Sequence, residues 1–300
     1  MSVTSVPSSL NCKRKTINKM NNNPVEKRSV GRTIADVILY LAVFAAAQFV
    51  FVSLTSLVAG LVGGSSLLAS QSQGASSGNE LIVGLVLASA FTLCLFVKLK
   101  WSPVSATWLR SHPWDVLIWA GLLSFGSILP SEWMLEKIQI EMPESQLKFF
   151  EQIIGQPMGY LAIGVFAPLV EELVFRGAIL RKLLGLFDRR YHWAAIAISS
   201  VLFGLLHGNV PQFIHAFVIG LLLGWMYYRT SSVLPGVLFH WVNNTVAFIM
   251  FNAMPQMGDG KLIDLFHGNS HMMWMGLLFS LCILLPSLFQ LALRMKPADK

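Results

Sequence analysis

The stretch APLVEELVFRGAIL, residues 167–180, places two adjacent glutamates and an arginine in a segment that is otherwise apolar. Whether these charges face water, a protein core or a membrane depends on the rest of the chain. The 300 residues are 54% hydrophobic and 12% charged, whereas ordinary soluble domains carry about 25% charged residues. This composition disfavours a soluble domain and is typical of a polytopic membrane protein. The three cysteines form no CxxC pair, which argues against a disulfide framework or a cysteine metal site.

Eight apolar segments approach the length of about 20 residues that a helix needs to cross a bilayer. They run near 33–62, 80–97, 114–130, 158–182, 192–207, 212–228, 233–252 and 271–293. The fifth and sixth are short and close together, so we expect this pair either to cross the membrane or to turn within it. The chain is therefore predicted to be an all-α, polytopic transmembrane helix bundle of about eight spans.

The basic residues predict the topology of these spans. Residues 1–32 are rich in Lys and Arg, and further basic residues follow the second, fourth, sixth and eighth spans. Because Lys and Arg favour the cytoplasmic side, both termini are predicted to be cytoplasmic. We interpret 1–32 as a disordered basic tail beside the lipid bilayer and expect no nucleic-acid partner. The expected location is the plasma (inner) membrane of a bacterium, or the endoplasmic reticulum of a eukaryote.

Residues 131–156 mix aromatic and aliphatic side chains with charges at helical spacing. This pattern predicts an amphipathic helix at the membrane interface. We interpret it as a connecting helix, with a lid over an access path as the alternative.

Ionisable residues inside membrane spans are costly, and by default they mark a functional site. All those placed well inside the predicted spans lie in the fourth to seventh, which is where we expect the site. They are Glu171, Glu172, Arg176, His207, His215 and His240, with Asn243 and Asn244 beside the last.

Helical spacing separates the two glutamates. Glu172 and Arg176 are four residues apart and can pair on one helix face, which offsets the cost of burying either charge. Glu171 points about 100° away from Glu172 and stays free to face something else. We interpret His215 as a hydrogen-bonded core residue and Asn243 as a residue that joins helices by hydrogen bonding.

Three motifs in these spans resemble those of the CaaX protease and bacteriocin-processing family (CPBP, or Abi) of intramembrane proteases, which is related to the type II CaaX prenyl endopeptidase. The family's EExxxR motif is matched by residues 171–176, FxxxH by 203–207 and HxxxN by 240–244. Each motif alone is weak, whereas all three in the family's order on separate apolar segments are specific. The resemblance covers about 158–252, roughly a third of the chain.

The resemblance implies peptide-bond hydrolysis in a water-accessible polar cavity inside the membrane bundle. It assigns the activation of water to Glu171 as general base, with His207 helping to bind that water. It assigns the stabilisation of the tetrahedral oxyanion to His240 and Asn244. The remaining motif residues, which would support the site, are Glu172, Arg176 and Phe203.

The residue types are compatible with two kinds of hydrolysis. A carboxylate, two imidazoles and an amide can activate water and stabilise an oxyanion without a metal. Alternatively, Glu171, His207 and His240 would bind one divalent metal such as zinc, with an open position for water. The sequence contains no HExxH motif, and we favour glutamate-type, metal-free catalysis.

The resulting hypothesis is an intramembrane endopeptidase that cleaves a peptide or a membrane-anchored protein. The alternative is a non-catalytic bacteriocin-immunity or membrane scaffold protein of the same fold. A transporter or proton channel is less consistent with the sequence, because the polar residues form one cluster without an inverted repeat.

The predicted organisation has four parts. They are a tail (1–32), N-terminal transmembrane helices with an interfacial segment (33–157), a CPBP catalytic core (158–252), and an outer loop, last span and basic tail (253–300).

Overall fold

The computed structural model describes residues 30–62, 78–104, 106–139, 143–253 and 261–296. Within these ranges the chain is helical and contains no strand, so the predicted all-α class is confirmed. The helices are α1 (Val30–Val62), α2 (Gly78–Lys98), the short α3 (Thr107–Arg110), α4 (Trp114–Ile138), α5 (Glu144–Ile154), α6 (161–184), α7 (His192–Leu205), α8 (Val210–Thr230), α9 (Leu234–Ala253) and α10 (Ser270–Arg294). Short 3-10 helices at Arg189–Tyr191 and Leu262–Phe266 precede α7 and α10.

Six helices in the described ranges are long and apolar enough to cross a membrane: α1, α2, α4, α8, α9 and α10. Their outward faces carry large apolar side chains, such as Phe49 at 75% exposed and Phe279 at 66%. A water-soluble protein rarely exposes apolar surface on this scale, whereas lipid tails accommodate it. The helices therefore form the predicted polytopic bundle.

The two other predicted spans, 158–182 and 192–207, correspond to α6 and α7. α7 has only 14 residues, which is short for a helix that crosses a bilayer. Asn209 caps α8 after the turn, because its side chain accepts a hydrogen bond of 2.9 Å from the backbone N–H of Gln212. α7 and α8 thus form a hairpin with a short first arm, and whether this pair crosses the membrane or turns within it stays a prediction.

α6 is the central helix of the bundle and is unevenly wound. Two π-helical stretches, Leu161–Phe166 and Leu173–Leu180, flank a regular turn at Ala167–Glu172. All residues of Leu173–Leu180 are buried, packed against α1, α2, α7 and α8. Because π-helical segments are rare and frequently occur at functional sites, the turn between them is a candidate site.

Glycines allow neighbouring helices to approach closely at two crossings. A Cβ atom built on Gly84 of α2 would lie 2.8 Å from the Cα of Val52 in α1. On α4, a Cβ atom at Gly126 would lie 2.8 Å from the backbone nitrogen of Leu284 in α10. Such contacts between small residues are typical of packed membrane helices.

Replacing Gly126 by alanine is expected to lower the free energy of unfolding by about 1–3 kcal/mol, because the methyl group overlaps the α10 backbone. The matched control is Gly121→Ala on the same helix, where the new Cβ would contact only Val242 Cγ2, at 4.0 Å. This control should be neutral or slightly stabilising, since alanine favours helix more than glycine does. Thermal unfolding in detergent measures both variants, and equal midpoints would contradict the close α4–α10 contact.

Residues 131–156 divide between two helices. α4 continues to Ile138, and the amphipathic α5 follows at Glu144–Ile154 with Ile153 buried. The prediction of an amphipathic helix is confirmed for α5, whereas the first part of the segment belongs to the long α4.

The topology predictions fall largely on residues outside the described ranges. The predicted tail, 1–32, enters the description only at Val30, where α1 begins, and residues 63–77 and 297–300 are also outside it. The side of the membrane on which the termini lie therefore stays a prediction.

Candidate active site

Glu172 and Arg176 form a buried ion pair in the centre of α6. Their side chains are 0% and 1% exposed, and Arg176 Nη1 donates to Glu172 Oε1 at 2.8 Å. Arg176 Nη2 also donates to the carbonyl of Gly220 in α8, at 3.3 Å. The pairing predicted from helical spacing is therefore present, and the guanidinium additionally joins α6 to α8.

The aromatic ring of Phe203 explains why the second motif contains phenylalanine. The Arg176 guanidinium lies over this ring, 4.4 Å from its centroid. The rings of His207 and His240 contact it edge to face, with centroids 5.2 and 5.8 Å away. Phe203 thus packs against the buried arginine and both imidazoles and helps to fix the position of all three.

His240 lies between the two glutamates of α6. Its Nδ1 is 3.3 Å from Glu172 Oε1, and its Nε2 is 3.7 Å from Glu171 Oε2. A carboxylate can only accept, so Nδ1 carries the proton and donates to Glu172, which orients the ring. The distance to Glu171 exceeds a direct hydrogen bond and is too short for a water on the line between the two atoms, so a water that contacts both must lie to one side.

Gly236, one turn before His240, makes room for this arrangement. A Cβ atom there would lie 2.6 Å from Glu172 Oε2. The glycine therefore lets α9 approach α6 closely enough for His240 to reach both carboxylates.

His207 follows α7 in the turn that leads to α8. Its Nδ1 lies 3.0 Å from the carbonyl oxygen of Phe203. Because a carbonyl oxygen only accepts, Nδ1 is the protonated nitrogen, and in the neutral ring Nε2 presents a lone pair.

Asn244 lies one helical turn after His240 on α9. Its Nδ2 donates to the backbone carbonyl of Ile163, in the first π-helical stretch of α6, at 3.0 Å. The amide nitrogen carries two protons, so one N–H remains for a ligand. Asn244 therefore ties α9 to α6 and keeps a donor beside the cavity.

Two adjoining cavities of about 530 Å³ each share Glu171 and His207 in their walls. The inner cavity is the one whose wall also contains His240 and Asn244. The side cavity extends to Phe44 of α1 and to α2. Mostly apolar walls with a few convergent polar groups are the usual form of a ligand site, and the side chain of Glu171, 15% exposed, reaches this space.

The wall of the inner cavity also contains polar residues that belong to no motif. They are Glu132 of α4, Gln212 and His215 of α8, and Asn243 of α9. In the described part of the chain, the buried Nδ1 of His215 has no hydrogen-bond partner. The interpretation of His215 as a hydrogen-bonded core residue is therefore not met at this nitrogen. For Glu132, the sequence offers one indication of a role in the site: it is an acidic residue placed just after the third predicted span.

α5 covers one end of the two cavities. Gln146 donates from Nε2 to the carbonyl of Gly208 at 3.3 Å and accepts a hydrogen bond from Asn209. Phe149 and Phe150 contribute to the walls of both cavities. α5 is therefore fastened to the turn that carries His207 and lines both cavities, and the choice between a connecting helix and a lid stays a prediction.

The predicted metal ligands do not fit a metal ion in this arrangement. Among the described residues, no three His, Cys, Asp or Glu side chains are positioned to hold one. His207 and His240 donate from Nδ1 to the Phe203 carbonyl and to Glu172, which leaves Nε2 as the remaining nitrogen of each ring. We therefore consider the chemistry of the protein side chains alone.

The fold and the site together define a class: a polytopic, all-α membrane protein with glutamate and histidine side chains around a cavity between its helices. Residues 154–246 match the family model described as type II CAAX prenyl endopeptidase Rce1-like. This part of the chain is therefore similar to Rce1-like domains, which confirms the family resemblance, and the match includes all three motifs.

A relative in Bacillus subtilis (strain 168), described as "Putative membrane peptidase YdiL", is 25% identical over 107 residues. This alignment covers 36% of the chain and 43% of the relative, less than half of either. No solved structure matches the chain.

Proposed function

We propose that this protein is an intramembrane endopeptidase that hydrolyses a peptide bond of a membrane-associated protein or peptide. The observation that carries the proposal is the inner cavity, where Glu171, His207, His240 and Asn244 converge from α6, the α7–α8 turn and α9. The match to a CAAX prenyl endopeptidase family supports the same reaction class.

Glu171 is the general base in this proposal. A water molecule beside the Glu171 carboxylate, in the cavity that Glu171 and His207 both line, donates one proton to Glu171, and the lone pair of His207 Nε2 accepts its other O–H. The water oxygen then attacks the carbonyl carbon of the scissile peptide bond. Glu171 passes its proton to the peptide nitrogen as the C–N bond breaks, which yields a carboxylic acid and an amine, and the acid then passes its proton to the amine. Positioned proton transfer of this kind contributes about 10²–10⁴ to a rate.

His240 and Asn244 stabilise the oxyanion that forms during the attack. For His240 to donate from Nε2, the ring must act as an imidazolium whose Nδ1–H stays on Glu172. Asn244 supplies the N–H that does not bind Ile163. Donors fixed in advance of the reaction are effective because they need no reorganisation when the charge develops. Glu172 and Arg176 support catalysis by fixing the imidazole.

The test is proteolysis by the purified protein in nanodiscs, with a library of internally quenched peptides. We expect wild type to cleave a subset of them and His207→Ala and His240→Ala each to lose at least about 100-fold in kcat/KM. Equal expression and equal thermal midpoints control for folding. A cellular phenotype that survives both substitutions would instead favour the non-catalytic immunity or scaffold function.

Metal removal is expected to leave the cleavage rate unchanged, since the proposed reaction uses only protein side chains. The rate is measured before and after dialysis against a strong chelator, with metal content determined on the same samples. Loss of cleavage that zinc restores would contradict metal-free catalysis while preserving the endopeptidase assignment.

A further inference from the structure

The inner cavity contains a third imidazole that the proposed reaction does not use. His215 lies on α8 and lines the same cavity as Glu171 and His240. Its Nδ1 is buried and lacks a hydrogen-bond partner within the described residues. Leaving a buried polar atom unpaired is costly, and because the residue lines the cavity, a ligand bound there can supply the missing partner to the ring.

His215 belongs to a continuous face of α8. Gln212, His215, Ala216 and Ile219 all line the inner cavity, and their spacing of three, four and seven residues is that of one helix face. The polar pair lies nearer the capped start of α8, and the apolar pair continues along the helix. This face presents a carboxamide and an imidazole about one turn apart to whatever occupies the cavity.

Close packing prevents α8 from turning His215 away. A Cβ atom at Gly204 of α7 would lie 2.9 Å from the backbone oxygen of Phe213, and one at Gly220 would lie 2.9 Å from Ser200 Cβ. Arg176 also donates to the Gly220 carbonyl. These contacts fix the rotation of α8 about its axis, so His215 faces the cavity permanently.

We propose that His215 binds a backbone amide of the peptide substrate, next to the scissile bond. A peptide in a cavity with mostly apolar walls must find partners for its own N–H and C=O groups. The catalytic residues serve one peptide group, and an imidazole nitrogen can accept from an adjacent N–H or donate to an adjacent C=O, according to its tautomer. His215 is thus a positioning residue, and this role rests on the proposed function.

The experiment measures binding as well as turnover, so that the two proposals can fail separately. Fluorescently labelled, capped Ala/Leu peptides are titrated into wild type, His215→Phe and His215→Asn in nanodiscs. One series of peptides carries a single ester in place of an amide at successive positions. The matched control is His192→Phe, because His192 lies outside the cavity and stacks on Tyr228 with ring centroids 4.1 Å apart.

We expect His215→Phe to weaken binding about three- to ten-fold, the effect of one lost hydrogen bond, and to raise KM by a similar factor with kcat nearly unchanged. His215→Asn should restore part of the affinity, and His192→Phe should bind like wild type. At one peptide position only, replacing the amide by an ester should weaken peptide binding to wild type. The same replacement should not weaken peptide binding to His215→Phe any further. Non-additivity of this kind identifies a direct contact.

The inference is overturned if His215→Phe binds all peptides as wild type does, if every ester acts additively with it, or if wild type binds none of the peptides. Binding that follows the expected pattern without any cleavage supports the role of His215 while contradicting the endopeptidase assignment. Thermal midpoints of the three variants exclude a folding defect as the cause of weaker binding.

Discussion

Glu171→Gln is expected to reduce kcat by about 10²–10⁴-fold and to change KM little, because a carboxamide fills the same space but cannot take a proton from water. Glu171 is the carboxylate that reaches both cavities, and its Oε2 lies 3.7 Å from His240 Nε2. Its removal therefore affects the reacting atoms and not the helix packing. Steady-state kinetics on the best peptide of the library measures the effect.

The matched control for this variant is Glu144→Gln on α5. Glu144 pairs with Lys148 at 2.7 Å, and both side chains are largely exposed, so its loss should alter stability and kcat little. If Glu171→Gln retains more than about a tenth of the wild-type kcat, Glu171 is not the general base. A lower thermal midpoint than that of the control would point instead to a structural contribution.

The sequence located the site because charged residues in apolar segments are rare. Glu172 and Arg176 could be paired correctly from helical spacing alone, since residues four apart share a face. The amphipathic pattern of 144–154 likewise indicated a helix. These are local properties, and a single chain segment is sufficient to predict them.

The contacts that organise the site are not local. His240 reaches Glu172 across 68 residues of sequence, through the packing of α9 on α6 that Gly236 permits. Asn244 reaches Ile163 across 81 residues. Neither contact leaves a periodic signal within one helix, which is why Glu172 was predicted only as the partner of Arg176.

The π-helical winding of α6 and the side of α8 on which His215 lies could not be predicted from the sequence pattern either. A period of 3.6 residues describes a regular helix, whereas α6 contains two π-helical stretches. His215 on an otherwise apolar helix resembles a core residue. Only the packing of Gly204 and Gly220 against their neighbours determines that the imidazole faces the cavity.

Arg176→Met is expected to destabilise the protein by about 3–5 kcal/mol, because it leaves the fully buried Glu172 carboxylate without its counter-charge. The substitution also removes the hydrogen bond to Gly220 and the cation over the Phe203 ring. The methionine side chain fills similar space, so the loss of stability reports the missing charge more than a change in packing. Denaturant unfolding in detergent, compared with Arg181→Met on the same helix, gives the effect. Arg181 donates to two backbone carbonyls and is only partly buried, so its loss should cost less than half as much.

The double variant Glu172→Gln/Arg176→Met distinguishes a buried charge from lost packing. Removing both charges should recover most of the stability lost in Arg176→Met, since a neutral pair carries no uncompensated charge. It should not recover activity, because a neutral glutamine supports the His240 imidazolium less well than a carboxylate does. A double variant as unstable as the sum of its two single variants would show that the pair acts through packing alone. Recovery of stability without activity is the result expected if Glu172 has two separate functions, holding Arg176 in the fold and His240 in the site.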